Sequence, residues 1–303
     1  MKNYNVERNK KYDYIGQSYA TLYPNLHRYP ATMIPQIGID ILKELSISSG
    51  KMLDPYCGSG SSFVCGLECG IKKMSGFDIN PLAVLIAKAK FTKLDIDEID
   101  LAYQRLRNDV FEISKYEKKI KEIEIPEITN MEYWFSKPVV VNLSIIKHCI
   151  YNIENTDIQT FFLVPFSETV RECSFTRNNE FKLFRIKPEE ILNFNPDVVS
   201  YYFKKLNDVI QYYKMYYLPK LNNNISVKIH SETFQKKNEK YDVVLTSPPY
   251  GDSRTTVAYG QFSALSNEWL GINTARKIDS MLMGGKRVNE VIKNGCIAES
   301  ISK

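Results

Sequence analysis

"KMLDPYCGSGSS", residues 51–62, is the stretch whose reading decides the fold. Lys51-Met52-Leu53 reads as a short strand that runs straight into an aspartate, a proline and two glycines. "FVCGLECG" follows as a helix, with Gly70 in a C-cap position. "KKMSGFDIN" reads as a second strand ending at Asp78, and "PLAVLIAKAKFTKL" as a helix opened by Pro81 in its first turn. Strand, glycine turn, helix, strand, acid, helix is the front half of a doubly wound α/β domain. Glycines in the first turn let the backbone approach a ligand, and the helix N-terminus aims amides and a positive dipole end at it. Asp78 stands where a carboxylate accepts both ribose hydroxyls of an adenosyl cofactor. A lone G-x-G also occurs in ordinary strand–helix turns, so the pairing with the acid is what favours a nucleoside. Phe63 stands where G-x-G-x-x-G needs its third glycine. That favours S-adenosylmethionine, which has no pyrophosphate, over a dinucleotide.

The second informative stretch is "LTSPPYGDS", residues 245–253. Tyr241–Leu245 reads as a short buried strand, and Ser247-Pro248-Pro249-Tyr250 ends it. Proline cannot continue a ladder, and each proline pushes the residue before it toward extended geometry. The result is a stiff segment with free carbonyls and one aromatic ring at a strand's C-terminal edge, where open α/β sheets bind ligands. The plain alternative is a strand followed by a proline turn.

Between these stretches the text changes. Residues 36–47 have helical spacing of Ile37, Ile41 and Leu45. Residues 97–125 read as one long amphipathic helix whose lysine run is a solvated face. Residues 132–153, 157–174 and 197–217 read as helices, and 222–232 return to strand. The chain therefore divides into 1–94, the first half of the α/β domain; 95–222, a mainly helical insertion; and 223–303, the Ser-Pro-Pro-Tyr half.

The 303 residues suffice for one large or two smaller domains, and a charged fraction of 25% is that of an ordinary soluble globular protein. A formal net charge of +5 permits an acidic partner such as nucleic acid without requiring one. The 20 tyrosines suit nucleobase stacking, though coding bias produces the same count. Cys57, Cys65, Cys69, Cys149, Cys173 and Cys296 are read as free thiols, because a chain this large without a signal peptide needs no disulfide framework. No second Cys/His pair has ligand spacing, so no metal is expected. No apolar run nears the ~20 residues that span a bilayer, so no membrane is expected and a cytoplasmic location is. His27, His148 and His230 lack acid/base partner patterns and are read as structural or polar surface residues.

"LDPYCGSGSS" resembles the cofactor-binding motif of the amino-directed DNA methyltransferases. "GFDINPLA" resembles their next motif, and "HRYPATMIP" the N-terminal motif that closes over the methionine end of the cofactor. "TSPPYGDS" resembles their catalytic motif in its cytosine-N4 form; adenine-N6 enzymes more often carry Asp or Asn at its first position. The resemblance covers about residues 20–92 and 225–285, in an order that is not circularly permuted. It implies a Rossmann-like α/β fold with S-adenosylmethionine as cofactor and duplex DNA as partner. Cofactor residues would be Tyr29, Pro30, Ala31, Asp54, Pro55, Gly58, Ser59, Gly60, Asp78 and Asn80, with Glu232 reaching the adenine. Catalytic residues would be Ser247, Pro248, Pro249 and Tyr250: acceptors for the exocyclic amine and a ring to stack on a flipped base. Arg171, Arg177, Lys182 and Arg185, among aromatics in residues 167–185, are candidate DNA contacts or a solvated face, and Arg254 is the loop candidate for phosphate. Few residues follow Tyr250 for this family. That raises the expectation of an incomplete sheet and of a second polypeptide completing the domain, or of a truncated copy inactive alone.

Overall fold

A computed structural model describes residues 9–15, 23–30, 32–235, 239–248 and 257–281. Strands β1 (Lys51–Asp54), β2 (Lys73–Phe77), β3 (Ser226–His230) and β4 (Val243–Val244) form a parallel sheet in the order β3-β2-β1-β4. Register pairs Met52 with Met74, and Gly76 with Ile229. The chain lays β2 and β3 to one side of β1 and returns to lay β4 on the other. The crevice for a ligand in such a sheet lies at that reversal, beyond the C-terminal ends of β1 and β4. The fold is thus a Rossmann-like α/β arrangement.

Helix α1 (Pro35–Glu44) precedes β1, α2 (Ser61–Glu68) joins β1 to β2, and α3 (Pro81–Phe91) follows β2. The return from α3 to β3 carries α4 (Ile96–Ser114), α5 (Glu117–Lys121), α6 (Met131–Trp134), α7 (Lys137–Tyr151), α8 (Thr156–Glu172), α9 (Pro188–Ile191) and α10 (Val198–Tyr212). Helices α11 (Tyr259–Trp269) and α12 (Ile278–Met281) come after β4. The organising helix is α8. Asn155 caps it by accepting from the amides of Asp157 and Ile158, and nearly every side chain from Phe161 to Arg171 is buried. It packs on α3, α7, α10 and α11. Phe63 and Met74 of the sheet region share one continuous core with Phe161, Phe166 and Trp269.

Three local expectations need correction. The α1 face that packs inward carries Gly38 and Leu42, whereas Leu45 is exposed and Ile37 and Ile41 are half-buried. A Cβ on Gly38 would meet Cys65 Sγ at 2.6 Å, so α1 approaches α2 where only glycine fits, and that contact sets the helix rotation. The long helix expected over residues 97–125 ends at Ser114. The Ser114 hydroxyl donates back to Val110 O at 2.7 Å, and Tyr116 turns extended before α5, where exposed Phe111 and Tyr116 leave no apolar face to continue. The buried strand expected over Tyr241–Leu245 is an edge strand of two residues, with Val244 49% exposed. An apolar run predicts burial on both faces, but β4 ladders only with β1 among the described residues.

The tyrosines are also used differently. Tyr202, Tyr213 and Tyr217 are fully buried, and their hydroxyls donate to the carbonyls of Phe162, Thr92 and Pro24. They pack helices and tether the N-terminal segment rather than offering rings to a ligand.

Candidate active site

The four strands deliver four polar groups to one edge. Asp54 closes β1, Asp78 follows β2, Glu232 follows β3 and Ser247 follows β4. All four line a cavity of about 320 Å³. Tyr29, Pro30, Pro55, Gly58, Ser59 and Asn80 line it too. The β1–α2 turn forms its floor. Gly58 and Gly60 have φ of +49° and +87°, values that side-chain-bearing residues rarely take. A Cβ on Gly58 would meet nothing within 4 Å, whereas one on Gly60 would meet Phe91 Cε2 at 2.6 Å. The turn is therefore shaped by glycine on its ligand side and packed by glycine on its core side.

Asp78 braces this turn. Its two carboxylate oxygens accept from Gly58 N at 2.9 Å and Asn80 N at 2.8 Å. Burial pushes its pKa up to about 6, with those two amides holding it down. Asp54 is buried and accepts from Tyr56 N at 3.0 Å. Burial raises its pKa, and the nearby Ser62 and Thr246 hydroxyls and the Tyr56 amide work against that rise. Beneath the turn, the buried Lys90 donates to Ser59 O at 3.0 Å, and burial lowers its pKa to about 7.

The N-terminal segment is brought over the cavity by tertiary bonds alone. Tyr217 donates to Pro24 O at 2.9 Å, Tyr23 donates to Glu68 Oε1 at 2.6 Å, and Arg28 N donates to the buried Glu168 at 2.9 Å. Tyr29 is thereby stacked on Tyr259 (5.9 Å between centroids) and held edge-on to Phe262. Asn80 ties these pieces together. Its amide donates to the Tyr29 hydroxyl and to Ser263 Oγ, both at 3.0 Å, and its oxygen accepts from Leu82 N as the α3 N-cap. Its side chain is thus committed to scaffolding at the cavity wall.

Several expected residues fall elsewhere. Ala31, Pro249, Tyr250 and Arg254 lie outside the described residues. Pro248 is exposed beside Ser247, and Gly60 sits behind the turn as the residue preceding α2. Arg171 does not face solvent: it is 4% exposed, and its guanidinium donates to Phe262 O at 3.0 Å and Glu180 O at 2.6 Å. It is a brace, because α8 points it inward where two carbonyls need donors. Arg177 is exposed and paired with Glu180 at 3.3 Å, Lys182 is exposed, and half-buried Arg185 lies over the Tyr133 ring at 4.3 Å. His27 is buried, His148 is exposed, and His230 stacks on Phe77 at 4.5 Å.

Sequence reasoning missed Tyr259, Met33, Thr233 and Met281, all of which line the cavity. Tyr259 opens α11. Among the described residues there is no His/Cys/Asp/Glu group able to hold a metal, and no helix long and apolar enough to cross a membrane.

No protein-family model matches the chain, and no solved structure does. The type II methyltransferase M.MvaI of Kocuria varians is 36% identical over 309 residues, covering 95% of this chain and 67% of that protein. The type II methyltransferase M.MjaII of Methanocaldococcus jannaschii is 34% identical over 90 residues, covering 30% of this chain and 17% of that protein. Neither match gives support to the expected second polypeptide. A match of that identity running through nearly the whole chain and two thirds of the relative means that the chain belongs to the type II DNA methyltransferase family.

Proposed function

We propose that the protein transfers a methyl group from S-adenosylmethionine to N4 of cytosine in duplex DNA, as the modification activity of a restriction–modification system. The observation that carries this reading is one cavity holding Asp54, Gly58, Asp78 and Glu232 together with Ser247 of the Ser-Pro-Pro-Tyr segment. The residues fit the cofactor: Asp78 offers a carboxylate for the ribose hydroxyls, Gly58 leaves the turn open to a ligand, and Glu232, which lines the same cavity, is the acceptor we assign to the adenine amine. When bound, the cofactor supplies an electrophilic methyl group on a sulfonium.

The protein's own part is positioning. A cytosine exocyclic amine is a poor nucleophile, because its lone pair is delocalised into the ring. The Ser247 hydroxyl and the Pro248 carbonyl hold that amine by accepting its hydrogens, which favours the tetrahedral geometry that develops during transfer. The two prolines keep these acceptors rigid, so little reorganisation is needed at the moment of reaction. Tyr250 stacks on the flipped base. The helical segment 95–222 brings basic residues to the DNA.

The test is mass analysis of nucleosides from duplex DNA treated with the protein and the methyl donor. N4-methylcytosine is the expected product. N6-methyladenine would move the target to adenine, and label entering only RNA would overturn the DNA reading. Ser247→Ala should lower kcat, and Tyr250→Ala should cost roughly 1–3 kcal/mol of base stacking while sparing cofactor affinity.

A further inference from the structure

A short hairpin stands beside the cavity wall. Arg177 N donates to Phe184 O at 2.8 Å, Ile186 N donates to Phe175 O at 2.9 Å, and Thr176 bridges Arg185 antiparallel. Its turn is held from within. The buried Arg171 donates to Glu180 O in the turn and to Phe262 O on α11, and its guanidinium lies 4.3 Å from the Phe262 ring centroid. Phe262 meets Tyr29 edge-on at 6.1 Å, and Tyr29 and Tyr259 line the cofactor cavity. The hairpin is thus fixed to the same helix that opens with a cavity residue.

Its outer face carries two rings. Phe181 and Phe184 are 48% and 44% exposed, next to exposed Arg177 and Lys182. The bonds to Arg171 and Gln261 fix the backbone that carries them. Rings flanked by cations match the chemistry of nucleic acid, in which apolar base faces lie between lines of phosphate charge. A base drawn out of a duplex leaves a gap in the stack, and apolar side chains fill such gaps in DNA.

We propose that this hairpin is a DNA wedge: Phe181 and Phe184 enter the base stack beside the extruded target, while Arg177 and Lys182 take the flanking phosphates. The proposal rests on the duplex-DNA reading given above. It makes the two phenylalanines positioning residues, and it turns Arg171 from an expected DNA contact into the brace that ties their hairpin to α11.

The test uses the protein with a non-reactive cofactor analogue and a duplex carrying the recognition site mapped from its methylation of genomic DNA. The target base is paired in one duplex, mismatched in a second and absent in a third. The Phe181→Ala, Phe184→Ala double variant should bind the paired duplex about 10- to 100-fold more weakly, the scale of losing base stacking. It should bind the abasic duplex within about threefold of the parent, because no unstacking is needed there. Cofactor affinity should be unchanged, the variant should still melt in one cooperative step, and the Phe→Leu pair should restore most of the binding. Equal losses on all three duplexes, or none on any, would overturn the wedge while leaving the methyltransferase reading intact. A change of oligomeric state in sedimentation would overturn it too, by making the face a protein contact. A parent protein that binds no duplex would sink both readings together.

Discussion

The β1–α2 turn and the Phe175–Ile186 hairpin are both tight backbone reversals beside one cavity, but they are held in opposite ways. The turn carries its own determinants: glycines at the two positive-φ positions, with an aspartate from the next strand bonding its amide. The hairpin has local bonds as well, from Glu180 N to Arg177 O at 3.2 Å and from Thr176 Oγ1 to Asn178 Oδ1 at 3.0 Å, but it also leans on two other helices. Its turn carbonyl is held by Arg171 from α8, and one residue at its tip, Leu183, meets Gln261 from α11. A segment shaped by its own residues tolerates change in its surroundings and fails when a glycine is replaced. A segment shaped by a distant brace behaves the other way round.

The largest effect expected from this contrast is at Gly60. Gly60→Ala combines a left-handed backbone with a Cβ 2.6 Å from Phe91, and should cost about 2–4 kcal/mol of stability in urea denaturation. A loss below about 0.5 kcal/mol would show that the turn relaxes freely and that the comparison is wrong.

Asp78 comes next. Asp78→Ala should weaken S-adenosylmethionine binding by roughly 1.5–3 kcal/mol in calorimetry. In the parent, affinity should be level above about pH 6 and fall below it, because protonation removes the acceptor for the ribose hydroxyls. The cofactor-free fold should respond in the other sense. The folded carboxyl titrates near 6 rather than 3.8, so the folded state takes up its proton first as pH drops. This group's contribution to stability therefore rises as pH falls from about 6 toward 3.8. Asp78→Asn should remove both pH dependences, and affinity that stays level down to pH 5 would place the ribose elsewhere.

The brace can be tested directly. Arg171→Met keeps the apolar stem but leaves the carbonyls of Glu180 and Phe262 without this donor. It should cost about 1–3 kcal/mol and speed hydrogen exchange at the hairpin more than at the β1–α2 turn. Equal change in both regions would dissolve the distinction between them.

The smallest effect is expected on α5. Lys118, Lys119 and Lys121 are exposed, and Lys121 pairs with the exposed Glu117. Replacing all three with Gln should leave DNA affinity within about twofold, as for solvated charges. Arg177→Gln and Lys182→Gln should each reduce the salt slope of DNA binding by about 1. A reversed ranking would move the DNA face from the hairpin to α5.

The amino-acid sequence by itself determined the elements whose causes are local. The glycine turn, the Asp78 strand end, the Pro81 helix start and the apolar runs of β1 and β2 are each written in a few consecutive residues, because φ restrictions, capping and short-range periodicity are properties of neighbours. The polar groups at the ends of β1, β2 and β4 were legible for the same reason, once the strands were placed in one parallel sheet. Only the tertiary structure decided the rest. It turned Arg171 inward and buried Tyr202, Tyr213 and Tyr217, and it left Val244 half-exposed at the edge. It also brought Tyr259 onto Tyr29 across more than two hundred positions of sequence. Those outcomes depend on which surfaces meet, and no window of neighbouring residues carries that information. A buried arginine and a DNA-facing arginine look the same in sequence, and they differ only in whether a carbonyl or water waits at the end of the side chain.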